Sequence, residues 1–219
     1  MKDITNFFLL FFAILVSAQE QKKDTLAEKY ANIETVVIND KDYEKVDYYF
    51  GLKQENNVRF IPMTHREEGV IFYNNLKRKG RVSNVVIFLH KTESKINLTN
   101  LEINFYKVDT LTGKPTEKIN VKQIIYVPKS KSRGRIKINV ENYHIPFPLN
   151  GIFASIKWLP NEFNDKKVGP SLRETDYEEQ ISYSRYKDGN WTRIPNISRK
   201  PNMYTNAMIG LEVYIKRKK

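Results

Sequence analysis

The sequence predicts an all-β fold, an antiparallel β-sandwich. Three observations predict it. Past residue 32 the apolar residues fall in short runs rich in β-branched and aromatic side chains. Within those runs apolar and polar residues alternate, as along a strand that turns one face to a core. Glycine, proline, asparagine and aspartate separate the runs, and no stretch after the first 18 residues keeps a helical period.

The elements follow in chain order. The chain opens MKDITNFFLLFFAILVSAQEQKK. Lys2 precedes an unbroken apolar run from Phe7 to Val16, and Ser17 and Ala18 are small, which is the pattern of a secretory signal peptide cleaved after Ala18. As a helix the run would rise about 15 Å, half of a bilayer's hydrocarbon core, so it does not read as a membrane span. Residues 1–18 are therefore expected to be a signal peptide, 19–32 a flexible polar lead-in, and 33–219 a single β-sandwich domain. No cysteine follows the apolar run, so no lipid anchor is expected, and no integral membrane segment is expected after cleavage.

Strands are expected at 33–38, 46–50, 58–61, 70–73, 82–90, 101–108, 121–127, 135–140, 152–158, 181–187, 191–194 and 207–215. Their facing follows from alternation. Ile152, Ala154, Ile156 and Trp158 share one side, opposite Phe153, Ser155 and Lys157. Leu101, Ile103 and Phe105 oppose Glu102 and Asn104, and Ile136, Ile138 and Val140 oppose Arg135, Lys137 and Asn139. Ala207, Ile209, Leu211, Val213 and Ile215 oppose Met208, Gly210, Glu212 and Tyr214. Each sheet is thus expected to have one dry and one wet face, with Trp158 in the core. Residues 82–90 are apolar on both sides, which places that strand centrally. Asp188-Gly189 is expected to supply the positive φ angles of a tight hairpin turn, and 160–180 reads as a long irregular loop, functional or mobile.

The chemistry-bearing residues exclude more than they assign. The absence of cysteine removes thiol catalysis and thiolate metal sites. His65, His90 and His144 lie far apart without ligand spacing, so no metal or other cofactor is expected. No nucleophile elbow, phosphate loop or dinucleotide fingerprint occurs. Glu67-Glu68 and the group Asp176, Glu178 and Glu179 read as solvated acids; a glycan hydrolase would need two such carboxyls facing across a cleft.

Two constellations suit binding. Tyr183, Tyr186 and Trp191 surround the Asp188-Gly189 turn, with Tyr177 just before it, and flat rings beside polar loops can stack on a sugar. The same rings could simply pair across a hairpin. The formal net charge of +12 points to anions. For an exported chain these are lipid headgroups, lipopolysaccharide phosphates or acidic glycans rather than nucleic acid, unless the lysines serve only solubility. Basic residues cluster at 77–81, at 129–135 and at 216–219. Lys129, Lys131, Arg133 and Arg135 would form an anion-binding rim if their loop shared one end of the sandwich with 77–81. Asp24-Thr25-Leu26 and Asp109-Thr110-Leu111 match an O-glycosylation acceptor pattern of exported Bacteroidetes proteins.

Four stretches also carry a resemblance: GVIFYN (69–74), LEINFYKVDTLTGKP (101–115), VENYHIPFPLNGIFASIKWL (140–159), and DGNWTRI with NAMIGLEV (188–194, 206–213). Together they resemble an all-β domain of exported Bacteroidetes proteins that often follows a small carboxypeptidase-regulatory-like domain. The resemblance implies a jelly-roll-like sandwich over roughly residues 33–215 and brings no catalytic residues with it. Only 19–32 separate the expected signal peptide from the first strand, so the regulatory-like domain is not expected here. The expectation is a non-catalytic exported protein, periplasmic rather than surface-bound, that binds an envelope glycan or an envelope protein. A purely structural accessory and a glycan hydrolase are the alternatives.

Overall fold

A computed structural model describes residues 41–49, 60–129 and 132–218, all within one compact unit, Asn39–Lys219. The expected signal peptide, the lead-in, the strand at 33–38, Asp24-Thr25-Leu26 and Lys131 lie outside the described residues, as do residues 58 and 59 of the strand expected at 58–61.

Fourteen strands follow in order: β1 (Tyr43–Tyr48), β2 (Arg66–Phe72), β3 (Gly80–Leu89), β4 (Leu101–Val108), β5 (Pro115–Lys118), β6 (Ile124–Tyr126), β7 (Gly134–Asn139), β8 (Pro146–Phe147), β9 (Ile152–Trp158), β10 (Glu174–Tyr177), β11 (Ser182–Tyr186), β12 (Thr192–Arg193), β13 (Tyr204–Ala207) and β14 (Ile209–Lys216). One sheet runs β1-β14-β3-β7, with β8 also on β3. The other runs β12-β11-β2-β9-β4-β5, with β6 also on β4. Strands β10 and β13 form a separate ribbon. All these pairings are antiparallel. The chain passes from β2 in the second sheet to β3 in the first, back to β4, on to β7, back to β9 and finally to β14. That alternation over β1, β2, β3, β4, β5, β7, β9 and β14 is a jelly roll.

The core lies between the sheets, where the alternation placed it. Ile152, Ala154, Ile156 and Trp158 on β9 meet Leu101, Ile103 and Phe105 on β4 and Ile209, Leu211, Val213 and Ile215 on β14. Trp158 is 1% exposed and its Nε1 donates to the Pro170 carbonyl at 2.8 Å, which satisfies its one polar atom. Strand β3 is central in its sheet, between β14 and β7.

Three expectations fail, each for a tertiary reason. First, the outer face of the larger sheet is not wet. Phe153 and Ser155 are fully buried, and Ile71, Tyr106, Phe153 and Tyr183 form a second apolar cluster there, with Val108 and Trp191 packed on it. Trp191, next to β12, lies 4.8 Å from the Phe153 ring. In a flat sheet three strand spacings would separate β12 from β9 by about 14 Å. The β11–β12 edge therefore curls over the face and seals it. Second, the turn sits one residue earlier than expected. Lys187 and Asp188 carry the positive φ values, 49° and 57°, and Gly189 N donates to Tyr186 O at 3.0 Å. Asp188 tolerates that conformation, and its carboxylate accepts from Lys157 Nζ at 2.8 Å. Third, 160–180 is not irregular throughout. Val168 and Leu172 enter the core, β10 forms at Glu174–Tyr177, and backbone bridges tie Met63 to Lys167 and Leu89 to Leu172.

Candidate functional site

The three candidate aromatics do not form one patch. Tyr183 is 2% exposed and packs edge-on to Phe153 on the outer face of β2 and β9. Tyr186, three residues on, has the opposite parity on β11 and is 48% exposed. Trp191 is half-buried, with the Arg185 guanidinium 4.4 Å over its ring. Tyr177 packs against the main core instead.

Beneath Trp191 lies a polar network that the adjacent acids of β2 gave no hint of. Glu67 is fully buried. Its Oε1 accepts from Ser155 Oγ at 2.6 Å, Tyr106 OH at 2.8 Å and Asn104 Nδ2 at 3.0 Å. Its Oε2 accepts from Arg185 Nε at 2.9 Å and Nη2 at 2.7 Å. Burial acts to lower the pKa of Arg185, but Glu67 outweighs it and keeps the guanidinium charged. Burial, reinforced by Glu67, raises the Tyr106 phenol. Five donors converge on the one carboxylate, so the network acts as a clamp on the curled edge, with Asn104 Oδ1 left without a partner among the described residues.

Glu68 has the opposite parity and faces the interior, where it meets Glu174; both carboxyls are buried. Glu68 Oε1 and Glu174 Oε2 have no further partner among the described residues, while Glu68 Oε2 accepts from Arg66 Nε at 3.2 Å. Burial, then the charge of Glu68, pushes the Glu174 carboxyl well above the usual range. That shift favours the neutral form of Glu174, which lessens the repulsion between the two carboxyls. Glu67, Glu68 and Asp176 are buried, contrary to the expectation from sequence, while Glu178 and Glu179 are exposed as expected. Glu68 is 3% and Glu174 1% exposed, so neither carboxyl stands in open water. Among the described residues no group of three or more acidic or histidine side chains is placed to hold a metal ion.

The expected rim divides. Arg135 lies on the outer face of β7, where Arg135, Lys45 and Lys137 surround the carboxylate of Glu212 at 3.4, 2.8 and 2.6 Å. Burial acts to raise Glu212, but the hydrogen bonds from Lys137, Lys45 and Tyr49 outweigh it and hold its pKa at about 2. Arg133 is exposed, and the Lys129 backbone N–H donates to Ser132 Oγ at 2.8 Å. Gly134 pairs with Leu89 at the far end of β3, whereas Gly80, at its near end, pairs with Ile215. A strand of that length holds the two basic loops about 30 Å apart. They do not share an end of the sandwich.

The 77–81 run meets the C-terminal run instead. Lys216 N donates to Lys79 O at 3.0 Å, and Arg78 Nη1 to Lys216 O at 3.1 Å. The β2–β3 loop is fixed by buried Asn74, whose Nδ2 donates to Arg78 O at 2.7 Å and Pro148 O at 2.9 Å. Gly80 permits the close approach of β14, since a Cβ there would meet Tyr214 O at 2.5 Å. The result is an open cleft of about 560 Å³ lined by Glu44, Asn75, Leu76, Arg78, Arg217 and Lys218. Arg217 Nε donates to Tyr43 O at 3.0 Å, which leaves its terminal nitrogens without a partner among the described residues. Lys77, Lys79 and Lys216 stand exposed around the same end. Sequence showed both basic runs; only the pairing of β3 with β14 brings them together.

In the remaining exposed motif, Thr110 sits in a turn that Asp109 closes. The Asp109 carboxylate accepts from the Leu111 and Thr112 backbone N–H groups at 2.7 and 3.0 Å.

No family model matches the chain, and no curated protein matches it. Among solved structures it is similar to the crystal structure of the cysteine protease and lectin-like domains of Cwp84, a surface layer associated protein of Clostridium difficile. The identity is 14% and the TM-score 0.42; the match covers 82% of this chain and 37% of that one. The chain thus spans little more than a third of that protein's length.

Proposed function

We propose that this protein is a non-catalytic binding module of the cell envelope that holds an acidic glycan in the cationic cleft beside β14. The observation that carries the reading is the convergence of two basic runs, far apart in sequence, on one cleft with uncommitted guanidinium and ammonium donors. Arginine offers a planar fork to carboxylates and sulfates, and neighbouring lysines add attraction at longer range. A concave site suits a polymer chain better than a flat bilayer, and Leu76 is the one large apolar side chain lining it. The basic charge, the signal-peptide pattern and the resemblance to exported envelope domains support the same reading. Export predicts a mature protein in the periplasmic fraction that begins at Gln19.

The test is calorimetric titration with an oligogalacturonate, an uncharged oligosaccharide of equal length, and vesicles of anionic phospholipid. Binding of the acidic oligomer alone is expected, weakening steeply between about 50 and 200 mM salt as screening shortens the reach of the cleft's charges. Arg78→Gln with Arg217→Gln should remove it. Equal binding of the uncharged oligomer, or binding to vesicles only, overturns the reading.

A further inference from the structure

Resting on that reading, we propose that Glu44 is an internal stand-in for the ligand: its carboxylate occupies the anion position on Arg78, and an incoming acidic group must displace it. Glu44 is the one acidic side chain among those that line the cleft. It belongs to the inward row of β1, but Val46 and Tyr48 of that row pack on the core while Glu44 lies beyond its rim. There it forms a close ion pair with Arg78 Nη2.

The geometry on the arginine side is prepared in advance. Arg78 is 19% exposed, and its Nη1 is held by Lys216 O, so the guanidinium cannot turn freely and presents Nη2 to the cleft. Glu44 is 41% exposed and sits on an edge strand, so its side chain can swing into water without disturbing the sheet. The two partners are unequal: one is anchored and one is free to leave. A pair of this exposure contributes little to stability, so its rupture costs the ligand little, yet it lowers the net charge of the empty cleft and shields its best-oriented donor.

Glu44→Gln separates this proposal from its parent. With the oligogalacturonate as probe at low salt, the variant is expected to bind about two- to fivefold tighter than the natural chain, the worth of one half-exposed ion pair. Arg78→Gln should weaken binding whether or not Glu44 is replaced, and should abolish the gain. Unchanged or weaker binding by Glu44→Gln, with the natural chain still binding, would show that Glu44 is a bystander or merely orients Arg78; the proposal then fails and the cleft stands. Failure of both chains to bind sinks the cleft and this proposal together. Glu44→Gln should melt within a few degrees of the natural chain.

Discussion

Glu67 and Glu68 are neighbours on β2 and nearly equally hidden from water, yet the fold holds them in opposite ways. Glu67 faces outward, under the curled edge, and meets a guanidinium and three neutral donors. Glu68 faces inward and meets another carboxyl, with a single bond from Arg66 Nε at 3.2 Å. The first receives five hydrogen bonds, which replace the water it lost. The second is tolerable because Arg66 pairs with it and the neighbouring Glu174 carboxyl is pushed toward its neutral form. Burial alone therefore says little about the charge of a carboxylate; the count of donors around it decides. Glu212, on the outer face of the other sheet, resembles Glu67 but is sheltered by long lysine and arginine side chains, whose contacts hold its pKa low.

The largest expected effect comes from breaking the outward site. Glu67→Ala removes the shared acceptor of Arg185, Tyr106, Asn104 and Ser155, leaves Arg185 the exposed Asp188 carboxylate at 3.4 Å as its anionic partner, and should cost about 3–5 kcal/mol in urea unfolding. Unchanged stability would mean that the curled edge is held by its rings alone. Next comes Gly69→Ala on the same strand. A Cβ there would collide with Ala154 O and fall 2.7 Å from the Phe153 ring, so β2 and β9 must separate. A loss of about 1–3 kcal/mol is expected, with Trp191 fluorescence shifted to the red.

The inward site should respond to pH with the opposite sign to an ordinary paired acid. The raised pKa of Glu174 means that the folded chain holds its proton more tightly than the unfolded chain. Stability is then full below the usual carboxyl range and declines as pH rises through the folded value. Glu174→Gln should flatten that decline, since its amide can donate to Glu68 at any pH, and should differ from the natural chain by about 1 kcal/mol or less near pH 5. A decline that survives the substitution would place the titrating group elsewhere. Glu212 works in the other direction: its contribution, present above the usual carboxyl range, fades as pH falls toward about 2. The smallest effect belongs to Tyr186→Ala, about 0.5 kcal/mol or less, because that ring stands largely in water.

The inner faces were legible from alternation, because a two-residue period places every second side chain on one side whatever the neighbouring strand may be. That holds for Trp158 and for the β14 row from Ile209 to Ile215, while the central position of β3 was legible from a run apolar on both sides. The outer face of the larger sheet was not legible. Phe153, Ser155, Asn104 and Glu67 look like a solvated side until a distant hairpin edge closes over them. The cleft was half legible: both basic runs stand out in the sequence, but which ends meet depends on strand order. The turn falls on Lys187-Asp188, one residue earlier than Asp188-Gly189, and there Asp188 meets Lys157, a partner outside the local sequence.

By itself, then, the sequence determined that this chain builds antiparallel strands around a greasy interior, and which residues line it, since those follow from local period and composition. Tertiary structure alone decided which face is sealed, which buried acids keep a charge, and where the cations gather. Those outcomes depend on segments more than a hundred residues apart coming within a few ångströms, and a contact of that kind leaves no trace in the local spacing of residues.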